Sequence, residues 1–364
     1  MVAGMKRIWL IVLLAGVGCD SIMPTRSIDL ATPTFTAGQV AELQRRGKSA
    51  AELGIQMQVT EQSAQFGGVN VISGEQPGTV PLIKIPTDKP TEPGGQYRVP
   101  VVLATVNGKA GTRLMLDSGS NRILLGYSQA RQLNIPPVAG VKPMTAMGIG
   151  GRVDNYLAVV PTLDVGGVRH QRLLALISPD TEVLKFTRGF WGNTPAMIYG
   201  VNTLRGLSYL SIDYLRGNVT FSPQAPYVPD PSLQTVAAVP LRWVEGLPAV
   251  EIQIDRRPDT YTCLLDTGGD YGMLVPRTVA AYLGYWKPGS ERLGTSHGVA
   301  GAALNAQYNI RSVRLGGATF AGMPTRTDII GPEPAGGHLL LGNVVLRRHR
   351  VTFDFRAGML WLER

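Results

Sequence analysis

Charge is scarce in this sequence, and so is sulfur. Asp, Glu, Lys and Arg make up only 17% of the 364 residues, against 44 glycines and 26 prolines. Such a chain has little material for long solvated helices and much for short strands joined by turns. There are two cysteines and four histidines. His170, His297, His338 and His349 show no paired metal-ligand spacing, which argues against zinc catalysis and implies neither metal nor other cofactor. No basic run or stripe is present, although the formal net charge is +9. The dispersed Lys and Arg argue against nucleic-acid binding; the sign fits a place beside an anionic bilayer or a merely basic surface. A complete phosphate loop is missing, because Glu42 stands where its first glycine belongs before Gly47-Lys48-Ser49. A complete dinucleotide fingerprint is missing too, with Val153 in place of the third glycine after Gly148-Ile149-Gly150, and no nucleophile elbow surrounds a serine.

What is present begins with 44% apolar residues, enough for a core in a chain of this length. The expected class is all-β, or mostly β with short helices. At the N-terminus Lys6 and Arg7 precede the apolar run Ile8 to Val17, too short to span a bilayer comfortably, so residues 1–18 read as an export signal. Gly16-Val17-Gly18-Cys19 resembles a bacterial lipoprotein box, with Gly16 where that pattern has Leu. The resemblance implies lipidation at Cys19 and a membrane anchor at the cell envelope; an ordinary cleaved signal is the alternative and an uncleaved anchor the third. A lipidated Cys19 leaves Cys263 without a disulfide partner, so the fold must rest on its core, with Cys263 as a small buried hydrophobe.

Residues 19–97 read as a tether with some local structure. Val40, Leu43, Ala50 and Leu53 lie at helical spacings, which predicts a helix over Ala37 to Leu53, and Pro86 to Gly95 has linker composition. From Val99 onward one pattern occurs twice. Val101 to Val106, a turn at Asn107-Gly108 and Leu114-Met115-Leu116-Asp117-Ser118-Gly119-Ser120 form the first copy. Ala249 to Ile254, a turn near Arg257-Pro258-Asp259 and Cys263-Leu264-Leu265-Asp266-Thr267-Gly268-Gly269 form the second. Each predicts a hairpin whose apolar second strand delivers an aspartate into a turn. Leu163 to Gly167 matches Val313 to Gly317, Ile198-Tyr199-Gly200 matches Leu340-Leu341-Gly342, and Ser211 to Tyr214 matches Thr352 to Phe355, all in the same order. Two lobes follow, at 98–228 and 241–364, with a proline-marked linker at 229–240.

The doubled Asp-Ser/Thr-Gly pattern, with an apolar-apolar-Gly element after each copy, resembles the pepsin and retropepsin clan of aspartic peptidases, and in detail the bacterial retropepsin-like proteins. The resemblance covers about Val99 to Arg364. It implies two pseudo-symmetric acid-protease β-barrel lobes and an Asp117/Asp266 dyad that activates water. It also implies hydroxyl hydrogen bonds exchanged across the lobes by Ser118 and Thr267, and apolar strands threaded beneath both loops. Gly119 and Gly268 would let the loops approach where a Cβ would intrude. The chemistry stands independently: one carboxylate can deprotonate water while a neighbouring carboxylic acid polarises the carbonyl, and mutual repulsion leaves one shared proton.

Ser120 could donate to Asp117 whereas Gly269 offers Asp266 no hydroxyl, which predicts that Asp266 carries the shared proton. Gly148, Ile149, Gly150 and Gly151 lie where the family carries a flap, and Gly298 to Gly301 hold the analogous place, so one or two flaps are open. Asp213, Asp354 and Asp270 are read as structural or turn-capping acids. The expected function is a monomeric aspartic endopeptidase acting on polypeptide substrates. The alternative is a catalytically silent lipoprotein holding an extended peptide in the same groove, and a third is a site formed by homodimerisation.

Overall fold

The structure is a computed structural model that describes residues 33–59, 64–148, 151–180, 196–287, 289, 292–298, 301–329 and 337–364. Residues 1–18, expected as an export signal, and Cys19 lie outside the described residues.

Both copies of the repeat fold into closed six-stranded barrels. In the first, Val101–Val106 pairs with Lys109–Asp117, followed around the barrel by Met197–Gly200, Ile123–Gly126, Val168–Ser178 and Gly151–Val165, which returns to Val101–Val106. The turn between the first two strands uses Asn107 (φ 47°) and Gly108 (φ 78°), the left-handed pair that a tight hairpin requires. Val102, Ala104 and Val106 then fall on the inner face by strand alternation, while Leu103 faces solvent. The second barrel repeats the circuit with Leu247–Ile254, Thr260–Asp266, Leu339–Gly342, Met273–Leu274, Ala318–Asp328 and Gly301–Leu315. The fold is therefore mostly β and two-lobed, as the repeat predicts.

A six-stranded antiparallel sheet joins the lobes. Its central strands are Tyr209–Asp213 and Arg350–Asp354, the matching late segments of the two copies, paired with Ser211 opposite Thr352 and Thr352 Oγ1 donating to Ser211 Oγ at 2.8 Å. The core runs unbroken from one barrel to the other: Leu116, Tyr199 and Phe221 of the first half and Ile252, Leu265 and Phe353 of the second belong to one buried cluster.

Three expectations about the connecting segments need correction. The tether is built into the fold. Val71–Ser73 pairs with Arg169 to Gln171, Gly78–Pro81 is an edge strand of the interlobe sheet beside Asn218 to Phe221, and Leu82, Ile85, Tyr97 and Val99 are buried. The expected helix ends early: it spans Ala37–Arg46, started by a Thr36/Gln39 capping box, after which Lys48 bridges to Val138 and pulls the chain into a turn. The stretch expected as an interlobe linker carries the strand Thr235–Pro240, paired with Met359–Glu363. In each case pairing with residues far along the chain outweighs local composition.

Candidate active site

Each barrel delivers one aspartate at the end of a buried strand. Lys109–Asp117 lies parallel to Met197–Gly200 with Gly200 opposite Asp117, and Thr260–Asp266 lies parallel to Leu339–Gly342 with Gly342 opposite Asp266. The threaded strands anchor the loops: Val201 N–H donates to Ser120 O at 2.8 Å, and Asn343 N–H to Gly269 O at 2.7 Å. Gly200 and Gly342 are required there, since a Cβ would come within 2.2 Å of the carbonyl oxygens of Arg122 and Tyr271 respectively.

The two loops then grip each other across the lobe boundary. Ser118 N–H donates to Thr267 Oγ1 and Thr267 N–H to Ser118 Oγ, both at 3.0 Å. Ser118 Oγ donates to Leu265 O and Thr267 Oγ1 to Leu116 O, both at 2.7 Å. Every polar atom of this buried ring is satisfied, and its four bonds bring the aspartates together. A Cβ on Gly119 would sit 2.7 Å from Asp266 Cγ, and one on Gly268 would sit 2.6 Å from Asp117 Cγ. Each loop glycine thus lies against the other lobe's carboxylate.

Asp117 and Asp266 share a hydrogen bond. Burial holds Asp117 well above the usual carboxylate range, reinforced by the Asp266 charge and by that hydrogen bond. Burial also raises Asp266, but the Tyr271 hydroxyl and Asp117 pull it back down. Both carboxyl groups are thus held above the usual range, and the Tyr271 hydroxyl opposes the rise at Asp266 alone.

The hydrogen bonds differ from those on which the sequence-based assignment of the proton to Asp266 rested. Ser120 Oγ does not reach Asp117; it donates to Arg122 O at 2.9 Å. Gly269 is not an empty place either, because the Tyr271 ring occupies the space beside it and its hydroxyl donates to Asp266 Oδ2. Tyr271 is the contact of Asp266 that sequence reasoning missed; its signal was a phenol two residues past the glycine that replaces the first loop's Ser120.

Of the flap candidates, Gly148 and Gly151 pair across a hairpin of Met144–Gly148 with Gly151–Val165, and Ile149 and Gly150 lie outside the described residues. The second lobe has the same hairpin, Arg292–Gly298 with Gly301–Leu315. The remaining acids are structural: Asp213 accepts from Leu215 N–H, Arg216 N–H and Arg350 Nε, and Asp354 from Ala357 N–H. Asp270 pairs with Arg347 at 3.0 Å and Arg98 at 3.6 Å. Cys263 is fully buried, which pushes its thiol up and keeps it protonated. No group of three metal-ligating side chains occurs among the described residues.

The model of the family described as Aspartyl protease matches residues 102–200, the greater part of the first lobe. No curated protein matches the chain. Among solved structures, the crystal structure of basic 7S globulin from soybean is similar, at 12% identity and a TM-score of 0.41, over 79% of this chain and 95% of that one. With two closed barrels, a shared interlobe sheet and an aspartate loop in each half, the chain has an aspartic-peptidase-like fold, and its first lobe carries the aspartyl protease match.

Proposed function

We propose that this protein is an aspartic endopeptidase in which Asp117 and Asp266 hydrolyse peptide bonds through an activated water. The observation that carries it is the reciprocal Ser118/Thr267 bonding across the lobe boundary that brings the Asp117 and Asp266 carboxyl groups into hydrogen-bonding contact. In the proposed reaction ionised Asp266 takes a proton from water as the oxygen attacks the scissile carbonyl, and protonated Asp117 donates to the carbonyl oxygen. Collapse of the tetrahedral species breaks the C–N bond, with the proton on Asp266 passing to the leaving amine and one diol proton returning to Asp117 as the new carboxyl C=O forms. The paired hairpins of the two lobes are suited to close over an extended substrate.

The test is cleavage of a mixed peptide library by purified residues 20–364 from acid to neutral pH. Asp117→Asn and Asp266→Asn are each expected to lower kcat by about 10²–10⁴-fold or more. Cleavage unchanged in both variants would sink the proposal, and peptide binding without turnover in the wild type would identify a silent binding protein instead. A lipid-anchored, periplasm-facing location in a bacterial envelope belongs to the same proposal, supported by Lys6, Arg7, the apolar run after them and Cys19. Metabolic fatty-acid labelling should mark the chain and be lost in Cys19→Ala; equal labelling of both would refute the anchor.

A further inference from the structure

The second active-site loop lacks a hydroxyl where the first has one, and a tyrosine supplies it from another direction. Counted from each aspartate, Ser120 and Gly269 hold equivalent places, and so do Arg122 and Tyr271. Ser120 turns to the Arg122 carbonyl, so Asp117 Oδ1 accepts from Gly119 N–H at 2.9 Å and from no hydroxyl among the described residues. Tyr271 turns back instead and donates to Asp266 Oδ2.

The surroundings are shaped around that ring. A Cβ on Gly269 would lie 2.4 Å from Tyr271 Cε1, and one on Gly342 would lie 2.6 Å from Tyr271 Cδ2. The Arg326 guanidinium covers the ring at 5.0 Å and is itself fixed by Ser296 Oγ at 3.0 Å and Asp270 O at 2.5 Å. In the first lobe the strand position equivalent to Arg326 is Leu176, since Leu274 pairs with Arg326 as Leu124 pairs with Leu176. Gly342 has its counterpart in Gly200, but the tyrosine, Gly269 and the arginine are a device of one lobe only.

We propose that Tyr271 is a positioning residue that breaks the symmetry of the dyad, fixing Asp266 as the carboxylate that deprotonates water and leaving Asp117 as the acid. This rests on the peptidase reading above. A hydroxyl aimed at one carboxylate oxygen favours the ionised form of that group alone. Burial and the Asp266 charge hold the phenol itself protonated, so it remains a donor throughout the working range of carboxylates. The other charged or titratable groups facing Asp266 are Asp117 from the first loop, Arg326 behind the ring, Tyr214 bound to Asn343 Oδ1, and Asp270 with Arg98 and Arg347. Tyr271→Phe keeps all of these and the ring packing, and removes one hydroxyl.

Tyr271→Phe is expected to move the acidic limb of the kcat/KM profile upward by roughly one pH unit, lowering activity about tenfold on that limb, with KM changed less than about twofold. Gly269→Ser alone meets the ring and should lose activity. Gly269→Ser combined with Tyr271→Ala makes room for a hydroxyl beside Asp266 and should return the limb toward the wild-type position. Carboxyl-carbon NMR titration of the dyad should report the same upward displacement of Asp266 in Tyr271→Phe without any turnover. If the wild type cleaves nothing, the peptidase reading fails while the titration still decides the role of Tyr271. A folded Tyr271→Phe protein with an unmoved titration of Asp266 would overturn the inference.

Discussion

At the scale of single residues, burial sets the behaviour of this site more than charge does. Behind the first loop, fully buried His170 Nε2 meets Tyr199 Oη at 2.6 Å, on the strand that threads beneath Asp117. Burial lowers His170 to about 4. The folded protein therefore keeps it neutral down to that pH, whereas the unfolded chain takes up the proton near 6.5. Between these values the unfolded state binds more protons, so stability falls as the pH falls, by on the order of 3 kcal/mol across the window. Asp117 has the opposite sign: its raised value gives stability at low pH that is lost as the pH rises through it. Replacing both His170 and Tyr199 by Phe removes donor and acceptor together and avoids an orphaned polar atom. The double variant is expected to show a shallower decline of Tm between pH 7 and pH 4 than the wild type. An equally steep decline would show that acid sensitivity arises elsewhere. The aspartates and their Ser/Thr-Gly companions were legible in the sequence because that short motif is local. The direction in which Ser120 and Tyr271 turn was not, because it depends on space left by Gly269 and Gly342 in three dimensions.

At the scale of elements, legibility followed range. The Asn107-Gly108 hairpin carries its own turn chemistry and folds as expected. The apolar-apolar-Gly segments were recognisable as a pair because both copies occur in the same order, yet their parallel pairing with the aspartate strands is non-local. The N-terminal helix shows the limit. Its start was encoded by Thr36 and Gln39, but its end is set by the bridge from Lys48 to Val138, ninety residues later, which no periodicity reports. The same holds for Thr235–Pro240, where the preceding Pro223, Pro226, Pro229 and Pro231 suggest a linker although Ala237 and Val239 are buried against the last strand. Pro240 ends that strand, where a missing N–H is tolerated.

At the scale of the whole molecule, the part least legible in the sequence is the one that ties the lobes together. Residues 71–99 pass from the first barrel to the edge of the interlobe sheet and then touch the second lobe: Arg98 O accepts from Asn343 Nδ2 at 2.8 Å, and Arg348 pairs with Glu92 at 3.2 Å. Asn343 also accepts from the Tyr214 hydroxyl and follows the glycine opposite Asp266, so this segment braces the second aspartate loop from behind. Leu82, Ile85 and Tyr97 are each at least nine-tenths buried. Burying three such side chains stabilises by about 5–8 kcal/mol as an upper figure, comparable with the total stability of an ordinary domain. Their removal would also bare the sheet edge along Asn218–Ser222, an invitation to association. A chain of residues 33–364 is therefore expected to unfold cooperatively as a monomer. A chain of residues 98–364, which sequence composition alone would delimit as the two lobes, is expected to aggregate or to lose most of its Tm. Sedimentation and thermal unfolding of the two chains side by side decide the matter; equal Tm and equal mass distribution would mean that the segment only decorates lobes able to stand alone.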